Sequence, residues 1–161
     1  MARSERRLHR RLGRAVVAAA VLPHELGHAL PAALARLPFS ITLLPEWEGP
    51  ERPLGRFDAE VDAATPSWLI RLVAVAPLLL YVSLAGVLRV AVALPRPAAV
   101  AVFLLCSYWA TLSAGDLAVA ASPDEVRESG GFLATVAGWE TAVADALTVV
   151  TVVLVAVVTF G

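Results

Sequence analysis

The sequence predicts an all-α membrane protein of about four transmembrane helices, with a small surface β-hairpin between helices one and two. Three observations point there. Of the 161 residues, 58% are hydrophobic, and mean hydropathy is +0.73, whereas a soluble domain is about 45–50% apolar. The apolar residues are gathered in long runs with few charges. One stretch, 37–66, is instead polar, acidic and rich in proline, and it separates the first run from the rest.

The chain opens with a basic segment, 1–13, expected to be cytoplasmic. Residues 14–161 read as a single polytopic domain. Its first span is about 14–36. A basic start before an apolar run also resembles a signal peptide, but apolar character resumes after residue 28, which favours an uncleaved span. Pro23 and Pro31 interrupt it, and each removes one helix hydrogen bond. In the loop, Phe39-Ser40-Ile41-Thr42-Leu43 alternates apolar with polar, and 57–61 does so in part, so two short strands are expected. Span two is about 68–94 with Pro77 inside, span three about 98–121, and span four about 132–160, with 122–131 a polar turn. Arginine placement puts the N-terminus, the second connection and the C-terminus inside, and both acidic loops outside.

Composition limits the partners. Net charge is −1, which offers nothing to nucleic acid. The lone cysteine, Cys106, lies in an apolar run and reads as a packing residue. Trp47, Trp68, Trp109 and Trp139 read as interface anchors or core. The surroundings expected are a lipid bilayer, with the plasma membrane as the location.

Within the first run stands His24-Glu25-Leu26-Gly27-His28, an H-E-x-x-H motif. Residues four apart share a helix face, so both rings can reach one metal ion. Glu25 can reach a metal-bound water as general base. Ionisable residues in an otherwise apolar span are expensive and point to function. A catalytic zinc site takes three protein ligands, and the only other histidine, His9, lies in the basic segment. The third ligand is then a carboxylate: Asp116, Asp124, Glu140 or Asp145. Depth favours Asp116, five residues or so before the end of span three. Asp124 reads as a turn or helix cap, and Glu140 and Asp145 as structural, paired with Arg71 or facing a cavity.

H-E-L-G-H in the first span, followed by a polar segment with strand-like pieces, resembles the site-2 protease-like family of intramembrane zinc metallopeptidases. Leu72-Val73-Ala74-Val75-Ala76-Pro77 resembles the small-residue-plus-proline segment of that family's second core helix. Ser113-Ala114-Gly115-Asp116-Leu117 stands in the right order for its third-helix aspartate, although glycine here precedes the aspartate. The resemblance covers roughly residues 15–121. It implies Zn2+ held by His24, His28 and Asp116, with Glu25 activating water to cut a membrane-embedded protein substrate. Two other classes stay open. One is an inactive relative acting as a membrane partner or scaffold. The other is a metal- or ion-translocating protein, in which Glu140 and Asp145 would matter as much as Glu25.

Overall fold

A computed structural model describes the backbone of residues 2–45 and 54–161, and the side chains of residue 13 and, within those ranges, of residue 15 onward. Trp47 and the acidic residues Glu46, Glu48 and Glu51 lie outside the described residues, as do the side chains of the basic segment, His9 included. The chain is mostly helical with one antiparallel strand pair. Its order is α1 (Ala2–Leu34), β1 (Phe39–Leu43), β2 (Gly55–Ala59), α2 (Ser67–Ala91), α3 (Arg96–Ala110), α4 (Ala114–Ala121), α5 (Pro123–Ser129) and α6 (Gly138–Phe160).

Several expected boundaries are corrected. Within the basic segment the backbone is already helical, since α1 starts at Ala2. The second strand is Gly55–Ala59, not 57–61, since the register pairs Leu43 with Gly55 and Phe39 with Ala59. Span three is two helices bent by 51°. The bend has a local cause: the hydroxyl of Ser113 accepts from the Asp116 N–H, capping a new helix where the first has ended. The polar turn 122–131 contains α5, with Pro123 in its first turn and left-handed Gly130 at its end. Residues 132–137 are not helical, so the last helix starts only at Gly138.

Two helices, α2 and α6, are long and apolar enough to cross a membrane, or three if the bent pair α3–α4 is one span. The side chains sort in the way lipid would require. On α6 the buried positions include Glu140, Thr151 and Thr159, while Val149, Val150, Val153 and Val157 face outward. A water-facing helix shows the opposite distribution. On α1, Val21, Glu25, His28, Ala29 and Ala32 make one buried stripe at helical spacing. Leu26, Leu30 and Leu34 make an exposed apolar stripe beside it.

Packing between helices relies on small residues. Ala32, Ala74, Ala85, Ala110 and Ala118 are fully buried, which lets backbones approach where lipid supplies little hydrophobic drive. The tightest approach joins α1 to α2: a Cβ on Gly27 would lie 2.9 Å from Pro77 Cα. Around the hairpin, Phe57, Ala59 and Val61 pack with Ile70, Val73 and Val126 in one cluster. A second cluster joins Tyr81 and Ala85 to Cys106, Ala110 and Val155. Cys106 is buried and unpaired, as its apolar surroundings suggested.

Because the atom opposite Gly27 is backbone, no rotamer change relieves the clash. Gly27→Val is expected to overpack this crossing by about 1–3 kcal/mol. The thermal midpoint in detergent should fall by about 2–10 °C, whereas Leu26→Val on the outward face should leave it nearly unchanged.

Candidate metal centre

His24 and His28 come from adjacent turns of α1, and Asp116 from the first turn of α4. The two Nε2 atoms are 3.2 Å apart. Asp116 Oδ1 lies 3.3 Å from His28 Nε2, and Oδ2 lies 3.7 Å from His24 Nε2. One ligand atom from each of the three falls within 4.8 Å of the others. Zinc bonds of about 2.0–2.1 Å at tetrahedral angles set ligand–ligand distances near 3.3 Å.

What aims the rings is backbone left unpaired by breaks in two other helices. Pro77 has no N–H, so the carbonyl four residues earlier, Val73, loses its helical donor. His28 Nδ1 donates to that carbonyl at 2.8 Å. The carbonyl of Trp109 lies in the last turn of α3, where no later helical N–H reaches it. His24 Nδ1 donates to it at 3.0 Å. Carbonyl oxygens only accept, so each Nδ1 carries a proton, and Nε2 is the atom each ring turns toward the other and toward Asp116. Two imidazole nitrogens and a carboxylate oxygen at these separations are the kind of donors that zinc takes. The donor set therefore fits zinc.

α1 is tied in place on the same side. Trp109 Nε1 donates to the Ala20 carbonyl at 2.8 Å, and the Tyr81 hydroxyl donates to the Pro23 carbonyl. Both bonds fall on the turns around Pro23, whose missing N–H leaves the Ala19 carbonyl without its usual donor. Asp116 is fixed by its own capping box. Its Oδ2 accepts from Ser113 N–H at 2.7 Å and from Ser113 Oγ at 2.8 Å. The residue that caps α4 thus also orients the carboxylate toward the histidines.

Glu25 is buried, within electrostatic reach of His24, His28 and Asp116. It packs against β2. A Cβ on Gly55 would collide with Glu25 Oε1 and a Val21 methyl. The bare backbone of Gly55 is what lets the strand pass this close. Glu25, His24, His28 and Asp116 line a cavity of about 960 Å³. Its other walls include β2, the break between α3 and α4, and residues 132–136.

Of the carboxylates weighed as third ligand, only Asp116 joins the histidines. Asp124 is exposed and pairs with Arg127 within α5. Glu140 is buried and Asp145 exposed, and neither lines the cavity. Neither pairs with Arg71, which instead donates to the Ala120 carbonyl at 3.1 Å. Trp68 and Trp139 are exposed, while Trp109 is half-buried and serves as the tether above. Sequence reasoning missed Gly55, the two carbonyl anchors and Phe132, whose ring lies 6.5 Å from that of His28. The anchors were signalled only indirectly, by Pro77 and by the Ser113-x-x-Asp116 cap spacing.

No protein-family model, curated protein or solved structure matches this chain.

Removing the hydroxyl that steadies Asp116 should loosen the centre without dismantling it. Ser113→Ala is expected to weaken zinc affinity by about 10–100-fold, measured by competition with a chromophoric chelator in detergent. Ser113→Thr, which keeps the hydroxyl, should stay near wild type.

Proposed function

We propose that this chain is an intramembrane zinc metallopeptidase that hydrolyses peptide bonds in or beside the membrane. One observation carries the reading: two histidine Nε2 atoms and an aspartate carboxylate converge at 3.2–3.7 Å while both Nδ1 atoms are anchored elsewhere. The H-E-x-x-H spacing supplies the chemistry, because the glutamate beside the first ligand shares the ligands' cavity. The likeness to the site-2 protease-like family rests on the same residues.

His24, His28 and Asp116 would hold the ion. Zinc bound there supplies a Lewis acid that polarises the scissile carbonyl and acidifies water. Glu25 accepts the water proton and returns it to the leaving amine nitrogen. Its burial against Gly55 keeps the carboxylate from swinging toward solvent.

A substrate helix hides its carbonyls in hydrogen bonds, so the cleaved segment must first unwind. The edge of β2 is placed to receive it. Leu44 N–H bonds to the Leu54 carbonyl, and Glu60 N–H to that of Pro38. Even-numbered residues therefore make the ladder, and Gly55 and Phe57 direct N–H and C=O away from β1, the Phe57 N–H toward Glu25. Gly55 and Phe57 line the cavity, so an extended segment added there would pass beside Glu25.

In this reading the bent α3–α4 pair is one span and α1 another, its exposed leucines against lipid, which makes four crossings. The basic N-terminus then lies inside, the hairpin outside, and the membrane is the plasma membrane. An ion-translocating role would need the intramembrane carboxylates to line one path, but Glu140 and Asp145 lie off the cavity.

Elemental analysis of the detergent-purified protein should find about one zinc per chain, lost in His28→Ala and Asp116→Ala. Glu25→Gln should retain the zinc yet slow cleavage of an unfolded, fluorescently labelled polypeptide by at least about 100-fold. A folded wild type that takes up no stoichiometric metal, even when zinc is offered, would overturn the reading.

A further inference from the structure

Between α5 and α6 the chain runs from 133 to 137 without a bend, a turn or a strand partner. Glu125 of α5 holds it from one side. Its Oε1 accepts from Thr135 N–H at 2.8 Å and from Thr135 Oγ1 at 2.6 Å. These two bonds also hold the Glu125 carboxyl below the usual carboxylate range. Successive N–H groups of an extended chain point to opposite sides. Ala137 closes the run in extended backbone, φ −90° and ψ 163°, and an extended run with Thr135 N–H directed at α5 turns the N–H groups of Ala134 and Val136 the other way.

Three facts identify what lies on that side. Leu133, Ala134 and Val136 line the same cavity as Gly55 and Phe57 of β2. The preceding even-numbered residue, Phe132, sends its N–H to Asp58 Oδ1 of β2, at 2.9 Å. Among the described residues, neither Ala134 N–H nor Val136 N–H has an acceptor. Ala134 is nevertheless buried, 8% exposed. A backbone N–H without a protein acceptor is met in a native fold by water or a ligand.

We propose, building on the peptidase reading, that residues 133–137 are a second docking edge, whose Ala134 and Val136 N–H groups bind carbonyls of an extended substrate segment lying between them and β2. Two donors two residues apart in an extended chain repeat at about 6.8 Å, the repeat of same-side carbonyls in a strand. Neither a helix nor a lipid chain presents acceptors at that interval. The substrate is thereby gripped along its backbone from both sides, which makes recognition depend on extended conformation more than on side-chain identity.

The test uses full-length protein in detergent and a fluorescein-labelled Ala-Val-Leu-Ala-Val peptide ending in a hydroxamate, which chelates zinc. Ala134→Pro and Val136→Pro each delete one inward N–H. Ala137→Pro deletes one of the opposite parity. The two inward variants are expected to weaken peptide binding by about 3–10-fold each, the worth of one hydrogen bond. Ala137→Pro should change it by less than about twofold, and zinc affinity should be unaltered in all three. Wild-type peptide affinity in both inward variants, with zinc retained, overturns the proposal. A wild type that takes up zinc and ignores the peptide also overturns it, while leaving the metal centre standing. A wild type that binds no zinc overturns the peptidase reading and this inference with it. Should a proline variant lose zinc, Val136→Cys decides, since Cys106 is buried and does not compete. Maleimide labelling slowed by the peptide is the expected result, and labelling indifferent to it overturns the proposal.

Discussion

Both histidines are held by hydrogen bonds from Nδ1 to carbonyls that their own helices could not satisfy. The rest of the centre depends on this. An imidazole on a lone helix samples several rotamers and both tautomers. A donor bond of 2.8–3.0 Å to a fixed carbonyl selects one of each. The two free carbonyls exist because α2 contains Pro77 and because α3 stops before α4 begins. Helix breaks that would be liabilities in lipid thus supply the carbonyls that hold the two imidazoles. The break after α3 acts a second time, since the cap that restarts the chain at Ser113 also steadies Asp116.

The same economy governs how close the elements stand. Gly27 lets α1 touch α2 at Pro77, close to where the Val73 carbonyl meets His28. Gly55 lets β2 touch α1 at Glu25. Each glycine sits beside a functional side chain on the contact face, so helix spacing and site geometry are one constraint. A larger residue at Gly27 would push α1 off α2, and one at Gly55 would push the Glu25 carboxylate aside, where a metal centre tolerates shifts of only tenths of an ångström.

How much of this could be read from the chain follows from the range of each signal. The motif at 24–28 is local, and helical periodicity alone puts both rings on one face. The strand at Phe39–Leu43 follows from alternation. Asp116 was favoured by depth along an assumed straight span, yet it reaches the histidines through a bent one. The bend was written in Ser113-x-x-Asp116 but masked by apolar composition on both sides, which makes 98–121 look continuous. Gly55 was illegible for a different reason: its role depends on which strand edge faces α1, a tertiary fact. The extended run after Gly131 was absorbed into a span because Phe132, Leu133, Ala134 and Val136 are all apolar, and composition does not distinguish a lipid-facing helix from a strand-like wall.

Placement of the carboxylates separates the functional classes that composition left open. An ion path needs acidic groups spaced along one route. Here Glu25 and Asp116 share a cavity with the histidines, whereas Glu140 and Asp145 stand apart from it. Under the proposed reading, the buried glutamate pressed against strand backbone beside two converging imidazoles is the base that the reaction needs. Hydrolysis needs that glutamate near the ligands and an extended segment within reach of it. The outer edge of β2 and the non-helical run after α5 border the same cavity as the glutamate. The arrangement favours a reaction on polypeptide backbone over transport of an ion through the helices.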